Sequence, residues 1–438
     1  MTQPSTDIGA FANALDAVAG LPAPELLQDL RTRGRESFAS LGLPSRRQEE
    51  WRFTGLKGIE GEVFEPPTTV APRIDVTPWR VSDAHLLVFV DGIFAPDVSE
   101  IGNLSDGVVV SNLVLGATSG SEAVAQHLGS LAPLEEHPFA ALNSALIADG
   151  AFIHLPVGME LERPIQIVFV SGSGERATLS APRILIVAEA GSRATVVEQH
   201  IGDGSSSLSC PVSEIVIGEK TVLNHVIVQE ENISAHHLAV RQMKLAADSR
   251  YSAQAISLGG ALARTDIGVV LDGERAEASL DGLYLGDGSQ QADTHLTVRH
   301  ASPDCNSHQL YKGILAGHAK SVFNGRIVVD QDAQKTDARQ SNRNLLLSDD
   351  AVVNSNPQLE IFADDVRCTH GSTVGQLDEE AVFYLRSRGI GREEAIQLLT
   401  LAFAGEILER VPVVELRERL EKVVAERLAA IADSKGNE

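Results

Sequence analysis

Only three cysteines, Cys210, Cys305 and Cys368, occur in 438 residues. They are too few and too scattered for a disulfide framework, which excludes the cystine-stapled secreted class and suits a reducing compartment. Aromatic residues are scarce too, at 4%, so the aromatic platforms of a carbohydrate-active groove have little to be built from. No apolar run approaches the roughly 20 residues of a membrane span. The opening segment also lacks a signal-like apolar run, its first basic residue being Arg31. A cytoplasmic location is the expectation. Basic residues are outnumbered 36 to 60, for a formal net charge of -24. That field repels phosphate backbones and anionic lipid, and no basic patch offsets it, so neither nucleic acid nor a membrane is expected as partner. The GxxxxGK[ST], GxSxG and HExxH patterns are absent, and the Gly-Ser-Gly at 172–174 has no helix behind it. Neither a nucleotide site nor a hydrolytic centre follows from this sequence.

What is present is a long run of short strands between two helical ends. Ile8, Phe11, Leu15 and Val18 recur at helical spacing, and Pro24 and Gly42 fit the start and stop of a second helix. Ser45 to Gln48 matches a capping box before Trp51. From Pro66 to Leu115 the pattern is mixed. His137, before Pro138, belongs to an extended entry into the main body. Between about Ala151 and Ser348 strand follows strand. Similar starts at Val187, Ile217, Leu245, Leu271 and Leu315 are separated by 30, 28, 26 and 44 residues, the last gap holding two shorter turns. A quasi-period near that length without crossover helices argues against βαβ units and leaves a strand solenoid or a large sandwich. Open strand stacks need covered ends, and the terminal helices are the candidate caps. After Cys368 and His370 the period turns helical, with Asp378 as cap of Glu379–Arg388, Gly389 as stop, and stripes through Ile396, Leu399, Phe403 and Ile407 and through Leu416, Leu420 and Val423.

Cys368 and His370 stand two positions apart. In an extended run the side-chain period of two sends the thiol and the imidazole from one face. Soft-to-borderline donors of this kind suit zinc, iron or a sulfur species. Two donors cannot complete a tetrahedral site or an iron-sulfur cluster, so the remainder must come from a second chain. The bland alternative is a buried cysteine beside a hydrogen-bonded histidine. The remaining histidines form no ligand set, and Asp330, Asp332 and Asp337 read as turn chemistry because the glycine and terminal glutamate of a calcium loop are missing.

The segment PQLEIFADDVRCTHG (357–371), followed by TVGQLD (373–378) and FYLRSRGI (383–390), resembles the SufB/SufD family of iron-sulfur cluster assembly scaffolds. GRIVVDQDAQKTDARQSNRNLLL (325–347) and GLPSRRQEEWRFTGL (42–56) resemble it in the same order. Leu385 stands where the SufB branch has a cysteine after the aromatic pair, so the likeness is to the SufD branch. The resemblance implies a mainly β protein: an N-terminal helical and mixed domain (1–135), a right-handed parallel β-helix core (136–368) and a C-terminal helical domain (369–438). It implies a non-catalytic subunit pairing with SufB and docking the SufC ATPase, with a homodimer possible in SufB's absence. It further implies a transient iron-sulfur cluster or iron at the SufB boundary, with Cys368 and His370 as candidate donors and nothing held permanently by this chain alone. Tyr384, Arg386, Arg388, Phe403 and Leu420 are the candidate SufC contacts. A purely architectural subunit is the alternative, and a carbohydrate-active β-helix enzyme the remote one.

Overall fold

The computed structural model describes residues 9–64, 74–172, 177–202, 204 and 206–435. Ile8, Pro66, Ser173 and Gly174, used in the sequence reading, lie outside them. Two sheets of ten and eleven strands face one another across a packed lumen. Eight strands of each form a parallel stack. One stack runs Ile165–Ser171, Arg193–Gly202, Val222–Glu230, Arg250–Ser257, Glu277–Gly286, Asn306–Leu315, Asp337–Leu346 and Arg367–Gly375. The other runs Gly150–Leu155, Arg183–Ala188, Val212–Ile217, His236–Leu245, Leu262–Leu271, Gln291–His300, Lys320–Val329 and Val352–Ile361. The chain alternates between them, so the core is a β-solenoid of about eight coils, each coil giving one strand to each sheet.

The coil length is close to the quasi-period, with one correction. Ile217 pairs with Leu245, Leu245 with Leu271, Leu271 with His300 and His300 with Val329, offsets of 28, 26, 29 and 29. Leu315 belongs to the opposite sheet, paired with Gly286 and Leu346. The gap of 44 is therefore one coil of 29 plus a crossing of 15, not two short turns. Val187 pairs with Val216, one residue from the expected partner.

One corner of the stack is built from left-handed residues. Gly158, Gly191, Lys220, Asp248, Arg275, Asp304 and Lys335 all have φ between 57° and 70°. Their amides continue the ladder through the turn, from Gly158 to Ala190 O at 2.8 Å up to Lys335 to Asp365 O at 2.6 Å. Each non-glycine member accepts the strain of a positive φ. Their charges alternate in sign up the stack, and Arg275 holds Asp248 through two bonds of 2.7 and 3.0 Å.

The sheets' outer faces are covered unequally. Helices α1 (Gly9–Ala19), α2 (Glu25–Leu41), α3 (Leu113–Thr118), α4 (Glu122–His127) and α5 (Pro138–Leu146) lie over the second sheet. His137 is extended and accepts from Ala140 N, as its place before proline requires. Gln48 Oε1 accepts from Ser45 N at 2.7 Å, although only one 3-10 turn, Glu49–Trp51, follows. Beneath α5, Arg183 and Glu214 form a fully buried pair at 2.6 Å. Arg183 also reaches Asn143 and Ser144, and Glu214 accepts from the amides of Gly129, Leu131 and Ala132. Every polar atom brought inside there finds a partner, the condition for tolerating such a pair.

At the C-terminal side lie α6 (Glu379–Ser387), α7 (Arg392–Leu408) and α8 (Val414–Lys435). Asp378 accepts from Glu380 N at 2.9 Å, and Gly389 stops α6 at φ +91°. These helices do not cap the coil end. Ile407, Leu408, Leu416, Leu420, Val424 and Leu428 pack along the first sheet's outer face, against Val226, Ile256, Leu283, Leu310 and Ile314. An amphipathic helix gains most where a wide apolar face is offered, and the sheet offers more than the end of a coil.

The stack's two ends therefore differ. At the first coil, His85–Val90 adds to Ile165–Ser171 and Ile93–Phe94 closes it antiparallel, while Val109–Asn112 pairs antiparallel with Gly150–Leu155. At the last coil, among the described residues, no strand follows Val352–Ile361 or Arg367–Gly375 in either sheet. The solenoid continues to Gly375, so the boundary expected at 368 falls inside its final strand.

Candidate functional site

Two of the three thiols are out of reach. Cys210 is fully buried under the N-terminal helices, where desolvation pushes its pKa far up. Cys305 is buried at a corner and donates to Gly273 O at 3.2 Å. Cys368 sits on the final strand, half-buried, with Leu359 and Val366 against a small end cluster of Ile327, Val329, Ala333, Ala338 and Ala363. Burial, and then the nearby Asp337 carboxylate, push the Cys368 thiol up, so the free chain keeps it protonated more than an open thiol would be.

His370 is exposed on the same strand. Residues 367–375 are extended, so thiol and imidazole leave one face, roughly 7 Å apart by strand rise. That face looks into the lumen at its mouth: Ser372, two residues on, reaches across to Ser355 of the opposite sheet at 2.8 Å. Among the described residues no three histidine, cysteine, aspartate or glutamate side chains converge to hold a metal.

The backbone around them is open. Arg367 N donates to Thr336 O at 2.8 Å, so Arg367, Thr369, Gly371, Thr373 and Gly375 turn their peptide groups to the strand Asp337–Leu346. By alternation Cys368, His370, Ser372 and Val374 turn theirs to the free side, a row of pairing groups awaiting another strand. The other terminal strand is different. Val352 N donates to Ala319 O and Phe362 N to Val329 O, at 3.0 and 2.9 Å. The same alternation puts Pro357 on the free side, where its missing N–H is harmless within the chain but interrupts any added strand. Val352, Ile361, Phe362 and Val374 are exposed large apolar residues of this coil. The free edge able to pair is therefore the one carrying Cys368 and His370.

The C-terminal candidates divide. Tyr384, Arg386 and Arg388 lie exposed on α6 and the residue after it, beside Phe383, which is 70% exposed. The Arg388 guanidinium stacks on Tyr384 at 5.3 Å and donates to its hydroxyl at 3.1 Å. Phe403 is half-buried under Lys312, whose Nζ lies 4.2 Å from the ring and donates to the Phe403 carbonyl at 2.9 Å. Leu420 is 0% exposed. In this conformation Leu420 fastens α8 to the sheet and offers no side chain to a partner.

The sequence reading passed over a polar group in the lumen. Glu198 holds His200 at 2.7 Å, His225 at 3.1 Å and Arg241 at 2.9 Å, and Glu231 holds His237 at 2.9 Å, all buried. Arg241 and the histidines keep the Glu198 carboxyl well below the usual range against the desolvation that would raise it. Glu198 and His200 share the i, i+2 spacing of Cys368 and His370, which is the signal that was there to find.

Residues 169–403 match the family described as SUF system FeS cluster assembly, SufBD core domain, and residues 73–167 match the SufBD protein N-terminal region. An iron-sulfur cluster assembly SufBD family protein of Synechocystis is 33% identical, covering 96% of each chain. The iron-sulfur cluster assembly protein SufD of Escherichia coli is 30% identical, covering 88% of this chain and 90% of its own. That of Bacillus subtilis is 28% identical, covering 92% and 94%.

Proposed function

Because the chain belongs to the SufBD family of iron-sulfur cluster assembly proteins, we propose that it is the SufD-type half of a two-solenoid scaffold on which clusters are assembled. The free edge of Arg367–Gly375 pairs with the terminal strand of a SufB-type partner, and Cys368 and His370 add their donors to those of that partner. The iron and sulfide are cargo. One observation carries this reading: a thiol and an imidazole on one face of a strand with a free edge, and, among the described residues, no group of three donor side chains to hold a metal. His370, exposed, is the readier iron donor. Cys368 becomes a ligand when a bound metal displaces its proton. The exposed Phe383, Tyr384, Arg386 and Arg388 surface of α6 is where a SufC-type ATPase docks, an aromatic and arginine pairing of the kind that anchors interfaces.

The test is co-purification with SufB and SufC followed by iron and sulfide analysis. His370→Ala should leave the complex assembled while lowering its iron and sulfide. Normal iron and sulfide in that variant would overturn the reading and leave an architectural role.

A further inference from the structure

The segment 325–347 lies directly beneath the terminal strand. Register sets Ala338 under Cys368, Gln340 under His370, Asn342 under Ser372 and Asn344 under Val374, all on the lumen-facing row. Neighbouring strands are about 4.8 Å apart, so each of these is its partner's closest same-face neighbour. Asn342 and Asn344 are already engaged, on the Tyr284 hydroxyl at 3.1 and 2.5 Å. Gln340 is not fully engaged. It is 3% exposed, and its Nε2 donates to Gln309 Oε1 at 2.5 Å, but its own Oε1 is buried with no partner.

Space for that amide is made on the opposite sheet. A Cβ at Gly325 would come within 2.4 Å of Gln340 Nε2, so glycine there lets the glutamine lie across the lumen. A buried acceptor left unmet costs about 1–3 kcal/mol. Two same-face neighbours have an N–H to give: Gln309, whose Nε2 is also buried without a partner but whose Oε1 is the atom turned to the Gln340 amide, and His370 on the other side.

We propose that Gln340 is the positioning residue of His370: its amide oxygen accepts one imidazole N–H, which fixes the tautomer and leaves the other ring nitrogen unprotonated for metal. Orientation of this kind, by an acceptor behind the ring, is how ligating histidines are held elsewhere. Gly325 acts one step further back by keeping the amide in place. The inference rests on the reading of His370 as a donor.

The test uses full-length chain with 15N-labelled histidine rings at pH 8, His370→Gln serving to assign the signals. In the native chain the two ring nitrogens of His370 should be well separated, as in a single tautomer. Gln340→Leu should move them toward their mean, Gly325→Ala should do the same by displacing the amide, and Gln340→Glu should restore the separation. In the complex with SufB, Gln340→Leu should lower retained iron about 10-fold or more, with Gln340→Glu recovering it. Ring signals in Gln340→Leu identical to the native ones overturn the inference whatever the iron content. Failure of the underlying reading shows separately, as normal iron in His370→Ala.

Discussion

Ser372 and Thr373 are adjacent on the terminal strand but face opposite ways, and proline at each should do opposite things. The Ser372 amide points to the free side and has no backbone partner among the described residues, whereas that of Thr373 belongs to the ladder with Asp337–Leu346. Ser372→Pro forfeits the exposed hydroxyl bond to Ser355 and bends φ toward −65°, a cost of about 1 kcal/mol to the lone chain. Thr373→Pro removes a ladder bond and drives its ring at the neighbouring strand, about 3 kcal/mol. Association should invert the order of the effects. A partner strand facing proline 372 keeps a buried carbonyl unmet, about 1–3 kcal/mol, so binding weakens roughly 10- to 100-fold. The assay is urea unfolding of each isolated variant beside a titration with SufB followed by sedimentation. Native-like affinity in Ser372→Pro, or equal loss of stability in the two variants, would refute both the strand orientation and the pairing edge derived from it.

Leu420→Ala should cost about 2–5 kcal/mol by emptying the contact of α8 with the sheet, read by urea unfolding, whereas Tyr384→Ala should leave stability within about 0.5 kcal/mol and weaken SufC binding in a pull-down. Arg183→Met strands Glu214 and should cost about 3–5 kcal/mol, while the double variant with Glu214→Gln should lose less than the two single changes together. Burial lowers His300 to about 4 against an unfolded value near 6.5, so its contribution is complete above about pH 6.5 and is lost as pH falls toward 4. Asp293, raised by burial to about 6, works the other way, its buried charge being relieved as pH falls from 6 to about 4. Thermal melts from pH 7 to 5 should thus fall less steeply in His300→Gln than in the native chain, and more steeply in Asp293→Asn.

How far the sequence could be read follows from which forces leave a local trace. Alternation along a strand is local, so the common face of Cys368 and His370 was visible before any fold was known. Coil length was visible too, from Ile217, Leu245 and Leu271, but sheet membership was not. Leu315 looks like its predecessors because both stacks bury apolar residues on both faces. The corner ladder escaped notice because five of its seven left-handed residues are lysine, arginine or aspartate, where a turn reading looks for glycine. Leu420 showed that α8 had an apolar stripe, and nothing in a stripe names the surface it meets. The Glu198 and His200 pair was overlooked because the Glu198 carboxylate is also held by residues tens of positions away, His225 and Arg241.

The unequal ends of the stack set a limit on stoichiometry. A rod able to grow from both tips polymerises, as fibre-forming strands do. Here short antiparallel strands blunt the first tip, which leaves one pairing-competent terminus among the described residues, and in the proposed pairing the joined rod has no such terminus left. Under the proposed edge pairing the stack acts as a chain terminator, and sedimentation should find a pair and no longer species.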